Sequence, residues 1–119
     1  MNRALTSLQV LEKNRMKRIE IVNSLRDIIY REAPDAKVIL YGSEARGDAH
    51  AGSDIDLLIL VNKDKVTLED EEKITFPIYL LELKTGVLIS PMIVPKKTWE
   101  NRPFKTPFYI NVMNEGVEL

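Results

Sequence analysis

The longest periodic stretch lies in the first third of the chain. Residues 8–33 contain no Gly or Pro, and Ile21, Leu25 and Ile28 recur at helical spacing, which predicts an amphipathic helix. The helix should end before Pro34, because proline disfavours helical geometry in the residue preceding it. The charged residues along this helix are expected to form a solvated face. They are Lys13, Arg15, Lys17, Arg18 and Glu20.

Three short apolar runs have the length and boundaries of buried strands. The first two, 37–41 and 57–61, lie on either side of a polar loop rich in Gly and Ser, so this region is predicted to be strand, turn, strand. The third run, 87–94, contains Pro91. Proline cannot donate to a strand ladder, so an edge strand or a bulge is expected there.

The acidic start of the segment after the second strand favours a helix, predicted over about 70–84 and closed by Gly86. Pro77 leaves two alternatives: the helix kinks there, or one helix ends near Thr75 and another begins at the proline. Farther on, a polar connection over 96–102 anchored by Trp99, a short helix over 108–114 and a tail over 117–119 are expected.

The resulting order of elements, α-β-β-α-β-α, belongs to the α/β (α+β) class. A chain of 119 residues suits one domain, 1–119, with a modest core. It has no cysteine, which excludes disulfides and thiolate metal sites and makes the cytoplasm the expected location. The formal net charge is −1, and no apolar run approaches the roughly 18–20 residues of a membrane span. Neither a membrane protein nor a dedicated nucleic-acid binder is indicated.

Two aspartates stand at the start of the second strand. Asp54 and Asp56 are two residues apart, so on a strand they lie on one face, with Ile55 on the other. Two like charges held this close repel each other, and a divalent cation relieves the repulsion. A few hard oxygen ligands suit Mg²⁺, whose remaining ligands are water and phosphate. Asp54 and Asp56 are therefore candidate metal ligands and catalytic residues, unless they simply flank the strand on a wet surface.

A second candidate element directly follows the first strand. Gly42 allows a close approach of the backbone to a ligand, and a short helix starting at Ser43 would present free N–H groups to an anion. Arg46 adds a planar cation that suits phosphate. The alternatives are that Ser43 is an ordinary helix N-cap and that Arg46 pairs on the surface with Asp48 or Glu44.

Together these residues resemble the signature of the polymerase-β-like nucleotidyltransferase superfamily. The pattern reads Gly42-Ser43-x-x-Arg46-Gly47, then Ser53-Asp54-x-Asp56-Leu57, and is similar to the minimal nucleotidyltransferases of prokaryotes. The resemblance implies a small mixed sheet backed by helices, Mg²⁺ as cofactor and ATP as nucleotide. It also implies a HEPN-domain partner, the two proteins acting as antitoxin and toxin. The nucleotide-binding residues it implies are Gly42, Ser43, Arg46 and Ser53.

The chain departs from the superfamily at the third carboxylate, which normally stands on the strand after the second helix. The strand predicted over 87–94 contains no acid, and Ser90 is its only polar candidate. Glu72 or Glu82 would have to reach in from the preceding helix. A neutral hydroxyl cannot replace a charge, so this difference favours binding over turnover.

Several loop and aromatic residues keep two interpretations. Ser53 either touches the ligand or hydrogen-bonds within its loop, and His50, the single histidine, is expected to be solvent-exposed. Four aromatic residues near the C-terminus either pack the last segment or form an exposed patch for a partner. They are Trp99, Phe104, Phe108 and Tyr109.

Three functions are compatible with these observations. The first is an enzyme that transfers a nucleoside monophosphate from Mg²⁺-bound triphosphate to an acceptor hydroxyl, with a tyrosine of a HEPN partner as the acceptor that the resemblance implies. The second is a catalytically weak or inactive module that binds nucleotide or a partner. The third is a transferase acting on a small molecule, which usually needs a further domain. Formation of a homodimer is also compatible with the sequence, because unpaired strand edges favour association.

Overall fold

The computed structural model describes residues 6–119, and the side chains of Thr6 and of residues 18–119. Five helices and four strands follow one another along this part of the chain. In chain order they are α1 (Ser7–Glu32), β1 (Lys37–Tyr41), α2 (Gly42–Arg46), β2 (Ile55–Val61), α3 (Leu68–Thr85), β3 (Ile89–Pro95), α4 (Lys96–Glu100), α5 (Pro107–Glu115) and β4 (Val117–Glu118). Within residues 6–119, no helix is long and apolar enough to cross a membrane.

The four strands form one mixed sheet in the order β3-β2-β1-β4. β1 and β2 are antiparallel, as a strand-turn-strand unit requires, and β3 runs parallel to β2 after the crossover through α3. β4 pairs antiparallel with the other edge of β1. The predicted mixed α/β class and the order of elements are confirmed, with three additions, the short helices α2 and α4 and the strand β4.

The sheet lies between two apolar clusters, and the central strand β2 contributes side chains to both. Ile55, Leu57 and Ile59 face α1 and α3, where Leu25 and Ile78 complete the larger cluster. The alternate residues of β2 face α4 and α5, and the members of this smaller cluster are Ile39, Leu58, Leu60, Trp99 and Val112. Side chains alternate along a strand, so Asp56 lies on the α4/α5 side, at the end of that face where the strand begins.

Helix α3 runs through Pro77 without interruption, which decides between the two alternatives in favour of one helix. It begins at a capping box between Thr67 and Asp70, two residues earlier than predicted, and ends at Gly86, whose φ is +74°. Ile74 and Ile78 on either side of the proline turn are buried in the core. This burial holds the helix together, although the proline removes one of its hydrogen bonds.

Two strand boundaries differ from the prediction. The third strand runs from Ile89 to Pro95, not over 87–94. A short connection joins it to the C-cap of α3 at Gly86, and the Glu82 carboxylate accepts the Ile89 N–H at 2.8 Å. The second strand starts at Ile55, earlier than the apolar run at 57.

The C-terminal tail is a strand, which the prediction missed. Val117 pairs with Leu40, and the Leu119 N–H donates to the Val38 carbonyl at 2.9 Å. A two-residue strand is too short to have a detectable period, so its pairing with β1 is set by the tertiary structure and not by local pattern.

The aromatic residues near the C-terminus divide between packing and exposure. Trp99 is buried and stacks edge-to-face with Phe108 and at a tilt with Tyr109, with ring centroids 6.1 and 4.8 Å apart. The guanidinium of Arg102 lies 4.5 Å from the centre of the Trp99 ring. The packing interpretation is confirmed for these three rings, whereas Phe104 is exposed.

Candidate functional site

Gly42 lies where the end of β1 meets the start of β2. Its φ is +74°, a left-handed conformation that side chains rarely adopt. A Cβ added there would lie 2.5 Å from Oδ2 of Asp56, so the glycine backbone is packed directly against that carboxylate. The strand register agrees, because Tyr41 is the cross-strand partner of Asp56. The two halves of the sequence motif are therefore in contact.

The residues after Gly42 form the predicted short helix. α2 spans Gly42–Arg46 and ends at Gly47, whose φ is +81°. The N–H of Asp48 closes the turn by donating to the Ser43 carbonyl at 3.1 Å. None of the residues of α2 is fully buried, and its one apolar side chain, Ala45, packs partly buried against the core, so polar contacts with its neighbours add to what holds it in place.

Asp54 and Asp56 lie next to each other in space as expected. Asp54 directly precedes β2 and is exposed, whereas Asp56 is half-buried within the strand. Burial raises the pKa of Asp56, and the negative charge of Asp54 raises it further. The guanidinium of Arg46 opposes both effects by lowering the pKa of Asp56. The site is thus a place where negative charge is costly and a cation would relieve the cost.

Tyr41 supports this corner of the sheet. Its ring stacks edge-to-face on Phe108 of α5, with centroids 5.5 Å apart. Burial raises the pKa of the Tyr41 hydroxyl, and the charge of Asp56 adds to the effect. The hydroxyl therefore stays protonated beside the carboxylates at neutral pH.

Arg46 forms surface ion pairs. Its guanidinium contacts Asp48 at 3.3 Å and Glu115, at the end of α5, also at 3.3 Å. The hydrogen bond to Asp48 and then that to Glu115 raise the pKa of Arg46. The predicted surface pairing occurs with Asp48 and not with Glu44, and Glu115 was not foreseen. The side chain remains half exposed and still acts electrostatically on Asp56.

The loop between α2 and β2 is organised by its own side chains. The Ser53 hydroxyl accepts the His50 N–H at 3.0 Å, and Nδ1 of His50 accepts the Gly52 N–H at 3.1 Å. His50 is exposed, as predicted. Ser53 therefore makes the hydrogen bond within its loop that one of its two interpretations predicted.

Arg18 was predicted to be solvent-exposed, and that prediction is wrong. It is buried, with 6% of its surface exposed, and its Nε lies 2.9 Å from the Glu44 carboxylate. Its Nη2 donates to the Ser53 carbonyl at 2.8 Å. The partners lie 26 and 35 residues away, so no local pattern could reveal them. Of the other predicted surface charges, Lys13, Arg15 and Lys17 lie outside the described side chains, and Glu20 is exposed.

The place of the expected third carboxylate is taken by a serine. Ser90 of β3 is the parallel partner of Asp56, so both side chains emerge on the same face of the sheet. Helix α3 packs on the other face, the carboxylate of Glu82 is bound to the Ile89 N–H, and Glu72 is exposed. Among the described residues, no group of three or more His, Cys, Asp or Glu side chains is placed to hold a metal ion.

A separate cleft of about 220 Å³ opens at the opposite end of the sheet. Its lining includes Ala36, Val61 and Ile74 and none of the motif residues. Two of its charged side chains, Lys63 and Asp70, are paired with each other. Because this cleft contains none of the motif residues and is remote from the carboxylates, the candidate site remains the corner formed by Gly42 and Asp56.

Comparison with known proteins agrees with the motif and the fold. Residues 20–118 match the family model described as "Nucleotidyltransferase domain". A Methanocaldococcus jannaschii protein named "Putative protein adenylyltransferase MJ0141" is 42% identical over 106 residues, which are 87% of this chain and 100% of that protein. A second protein of that organism, "Putative protein adenylyltransferase MJ0604", is 37% identical over 97 residues, 82% of this chain and 88% of that protein.

A solved structure described as "Structure of putative minimal nucleotidyltransferase" has 25% sequence identity and a TM-score of 0.55. The match covers 89% of this chain and 95% of that one. The mixed sheet with its helices is thus a fold shared with nucleotidyltransferases, as the motif implied. Since the family match covers most of the sequence and the relatives align along most of their own length, this chain belongs to the nucleotidyltransferase-domain family.

Proposed function

We propose that this protein transfers AMP from ATP to an acceptor hydroxyl and releases pyrophosphate. The observation that carries the proposal is the packing of the Gly42 backbone against the Asp56 carboxylate, where a Cβ would lie 2.5 Å from Oδ2. This contact supports a single site in which a phosphate-binding turn and a pair of metal-binding carboxylates act on the same triphosphate.

Asp54 and Asp56 would hold a divalent cation, Mg²⁺ in this proposal. The fit rests on the raised pKa of Asp56, which reflects burial and the charge of Asp54, because a cation would offset both. When bound, the ion supplies polarisation of the phosphoryl group and neutralisation of its charge. With Ser90 in place of a third acid, the remaining ligands would be water and phosphate oxygens.

Three residues of the motif would contact the nucleotide, and a fourth would support them. Gly42 and Ser43 would offer backbone N–H groups to the phosphates, and Arg46 would pair with them in place of Glu115. Ser53 would act mainly through its loop, since its hydroxyl is hydrogen-bonded to the His50 N–H.

The acceptor in this proposal is a protein hydroxyl. The names of the two M. jannaschii relatives specify adenylyl transfer to protein, and the resemblance to minimal nucleotidyltransferases adds a HEPN-domain toxin, with a tyrosine of that partner as acceptor. The protein would then be an antitoxin that acts in the cytoplasm. The absence of cysteine from the sequence is compatible with that compartment.

A second candidate function is a module that neutralises its partner by covering a surface. Two observations favour it: Ser90 stands where the third acid is expected, and the solvent side of α3 is apolar. This outer face of α3 consists of Phe76, Tyr79, Leu80 and Leu83, all exposed. Residues at this spacing form one stripe along a helix, which suits contact with another protein or a second copy of this chain.

The first experiment is calorimetric titration with ATP, with and without Mg²⁺. We expect metal-dependent binding in the wild type and its loss in Asp54→Asn/Asp56→Asn. The matched control is Asp35→Asn/Asp64→Asn, which makes the same chemical change at the other end of the sheet and should bind as the wild type does. No binding at millimolar ATP would overturn the enzyme proposal.

Transfer of labelled AMP from ATP to a purified HEPN partner then separates the two functions. Label on the partner, absent with the double Asn variant, supports the transferase. A stable complex without label supports the second candidate.

A further inference from the structure

We propose that Arg18 is a positioning residue that sets the separation between the two halves of the site. The phosphate segment comprises residues 42–46 and the carboxylate segment residues 54–56. One guanidinium contacts the phosphate segment through Nε, which lies 2.9 Å from the Glu44 carboxylate, and the residue next to the carboxylate segment through Nη2, which donates to the Ser53 carbonyl at 2.8 Å. This inference rests on the proposed function, because it assigns Arg18 a role in that same site.

Each contact lies one residue away from a proposed ligand. Glu44 directly follows Ser43, and Ser53 directly precedes Asp54. A shift of the guanidinium would therefore be transmitted to the phosphate segment through the side chain of Glu44 and to the carboxylate segment through the peptide unit that joins Ser53 to Asp54. In catalytic sites, misplacement of reacting groups by about 1 Å can cost about 100-fold in rate.

The phosphate segment needs such an anchor. None of the residues of α2 is fully buried, and its one apolar side chain, Ala45, is small and only partly buried against the core, so polar contacts must supply much of what holds the helix. The hydrogen bonds of the connecting loop, between His50 and Ser53 and between Gly52 and His50, are made within the loop itself. Arg18 instead extends from α1, whose Leu25 and Ile29 are fully buried in the core. It thus connects a surface-lying turn to the rigid part of the protein.

Stability alone does not account for this side chain. A buried ion pair loses hydration that its mutual attraction repays only in part, and apolar replacements of similar volume are often neutral or stabilising. Arg18 has an additional cost, because its Nη1 is buried and has no hydrogen-bond partner within the part of the chain that the structure describes. A guanidinium has the geometry to hold two acceptors at a set distance, which a hydrophobic side chain lacks.

The test compares Arg18→Met/Glu44→Met with the wild type. Both substitutions keep roughly the buried volume and leave no unpaired charge. The matched control, Arg26→Met, removes an exposed arginine from the same helix, where it pairs with Asp27 at the surface. Three quantities are measured: the free energy of unfolding in urea, hydrogen exchange of individual amides by NMR, and the Kd for ATP with and without Mg²⁺.

We expect the unfolding free energy of the Met/Met variant to stay close to that of the wild type. Mg²⁺ should tighten ATP binding less than in the wild type: the ratio of the Kd without Mg²⁺ to the Kd with Mg²⁺ should fall by about 10- to 100-fold. This is the usual effect of losing a residue that orients metal ligands. Exchange at the amides of Gly47 and Asp48, which close the α2 turn, should become at least about tenfold faster, while core amides of β2 keep their rates. The Arg26→Met control should change none of these values.

The outcomes separate this inference from the proposed function. If the wild type binds no Mg²⁺-ATP, the proposed function fails, and the exchange rates at Gly47 and Asp48 still decide whether Arg18 holds α2. If those rates and the ratio of the two Kd values are both unchanged in Arg18→Met/Glu44→Met, the positioning role is wrong. A loss of binding that merely follows a lowered unfolding free energy would also overturn it, since that is the result of a purely structural role.

Discussion

Asp56 is the residue at which the two halves of the site meet. Its carboxylate is half-buried on β2, with the charge of Asp54 beside it and the Gly42 backbone against it. Burial and the Asp54 charge both disfavour its ionised form and raise its pKa, whereas Arg46 favours the ionised form. Because only the ionised carboxylate binds a hard cation well, the environment of this one residue would couple the proposed metal binding to pH.

The first prediction concerns the titration of Asp56. Its midpoint should lie above the ordinary aspartate value of about 3.9, move down in Asp54→Asn and move up in Arg46→Gln. Carboxyl ¹³C NMR of the metal-free protein measures these midpoints, with Asp64→Asn as a distant control that should leave them unchanged. Equal midpoints in wild type and Asp54→Asn would contradict the proximity of the two carboxylates.

The sign of the accompanying stability change follows from the same shift. The folded state holds the Asp56 proton more tightly than the unfolded chain does, so the free energy of unfolding should fall as pH rises through the window between the two pKa values. Affinity for Mg²⁺ should change in the opposite sense and strengthen over that window. Asp54→Asn should weaken the pH dependence of stability, because one cause of the raised pKa is removed.

Residue by residue, the sequence was most informative where contacts are local. Asp54 and Asp56 lie on one face because they are two apart on a strand, and Gly42 adopts a positive φ at a turn that required one. Arg18 could not be assigned, because its burial depends on partners that only the folded chain brings near. Charge and helical spacing alone made it look like any surface arginine.

At the scale of elements, the register between β2 and β3 decides what completes the site. Periodicity predicted a strand after α3 but not its pairing, which places Ser90 directly beside Asp56. It also could not foresee β4, whose two residues pair with β1. Helix α3 continues through Pro77 because Ile74 and Ile78 are buried on both sides of it, a tertiary effect that outweighs local preference.

This register makes Ser90→Asp a prediction of gained metal affinity. The new carboxylate would stand beside Asp56 on the same face and add a third hard oxygen ligand. We expect Mg²⁺ to bind about tenfold more tightly, equivalent to about 1.4 kcal/mol. We also expect a lower unfolding free energy without metal, because three like charges repel. Calorimetry with Mg²⁺ and ATP measures the first effect and urea unfolding the second.

Ser90→Asn is the matched control for this change. It has the size of the aspartate without its charge, so it should leave both the metal affinity and the metal-free stability near those of the wild type. If Ser90→Asn tightened binding as much as Ser90→Asp, the effect would come from packing and not from a third carboxylate.

At the scale of the whole molecule, the two faces of the sheet differ in what packs against them. One face packs against α1 and α3, and the other packs against α4 and α5, which leave Asp56 half-buried and Ser90 and Met92 exposed. Helix α3 is apolar on both of its own sides: Ile78 is 2% exposed and lies in the core, while Phe76 and Leu83 are 61% and 65% exposed. Only the inner side of α3 packs in the core, so its outer face is expected to contribute little to the stability of this chain.

The last prediction tests this division of helix α3. Phe76→Gln/Leu83→Gln changes only exposed positions, each expected to alter the unfolding free energy by no more than about 0.5 kcal/mol. Ile78→Ala, on the inner side of the same helix, should cost about 2–5 kcal/mol because it opens a cavity in the core. Urea unfolding gives both values.

Size-exclusion chromatography with a purified HEPN partner should show the complex lost in the double Gln variant and kept in Asp54→Asn/Asp56→Asn. A complex that survives both sets of substitutions would place the partner on another surface.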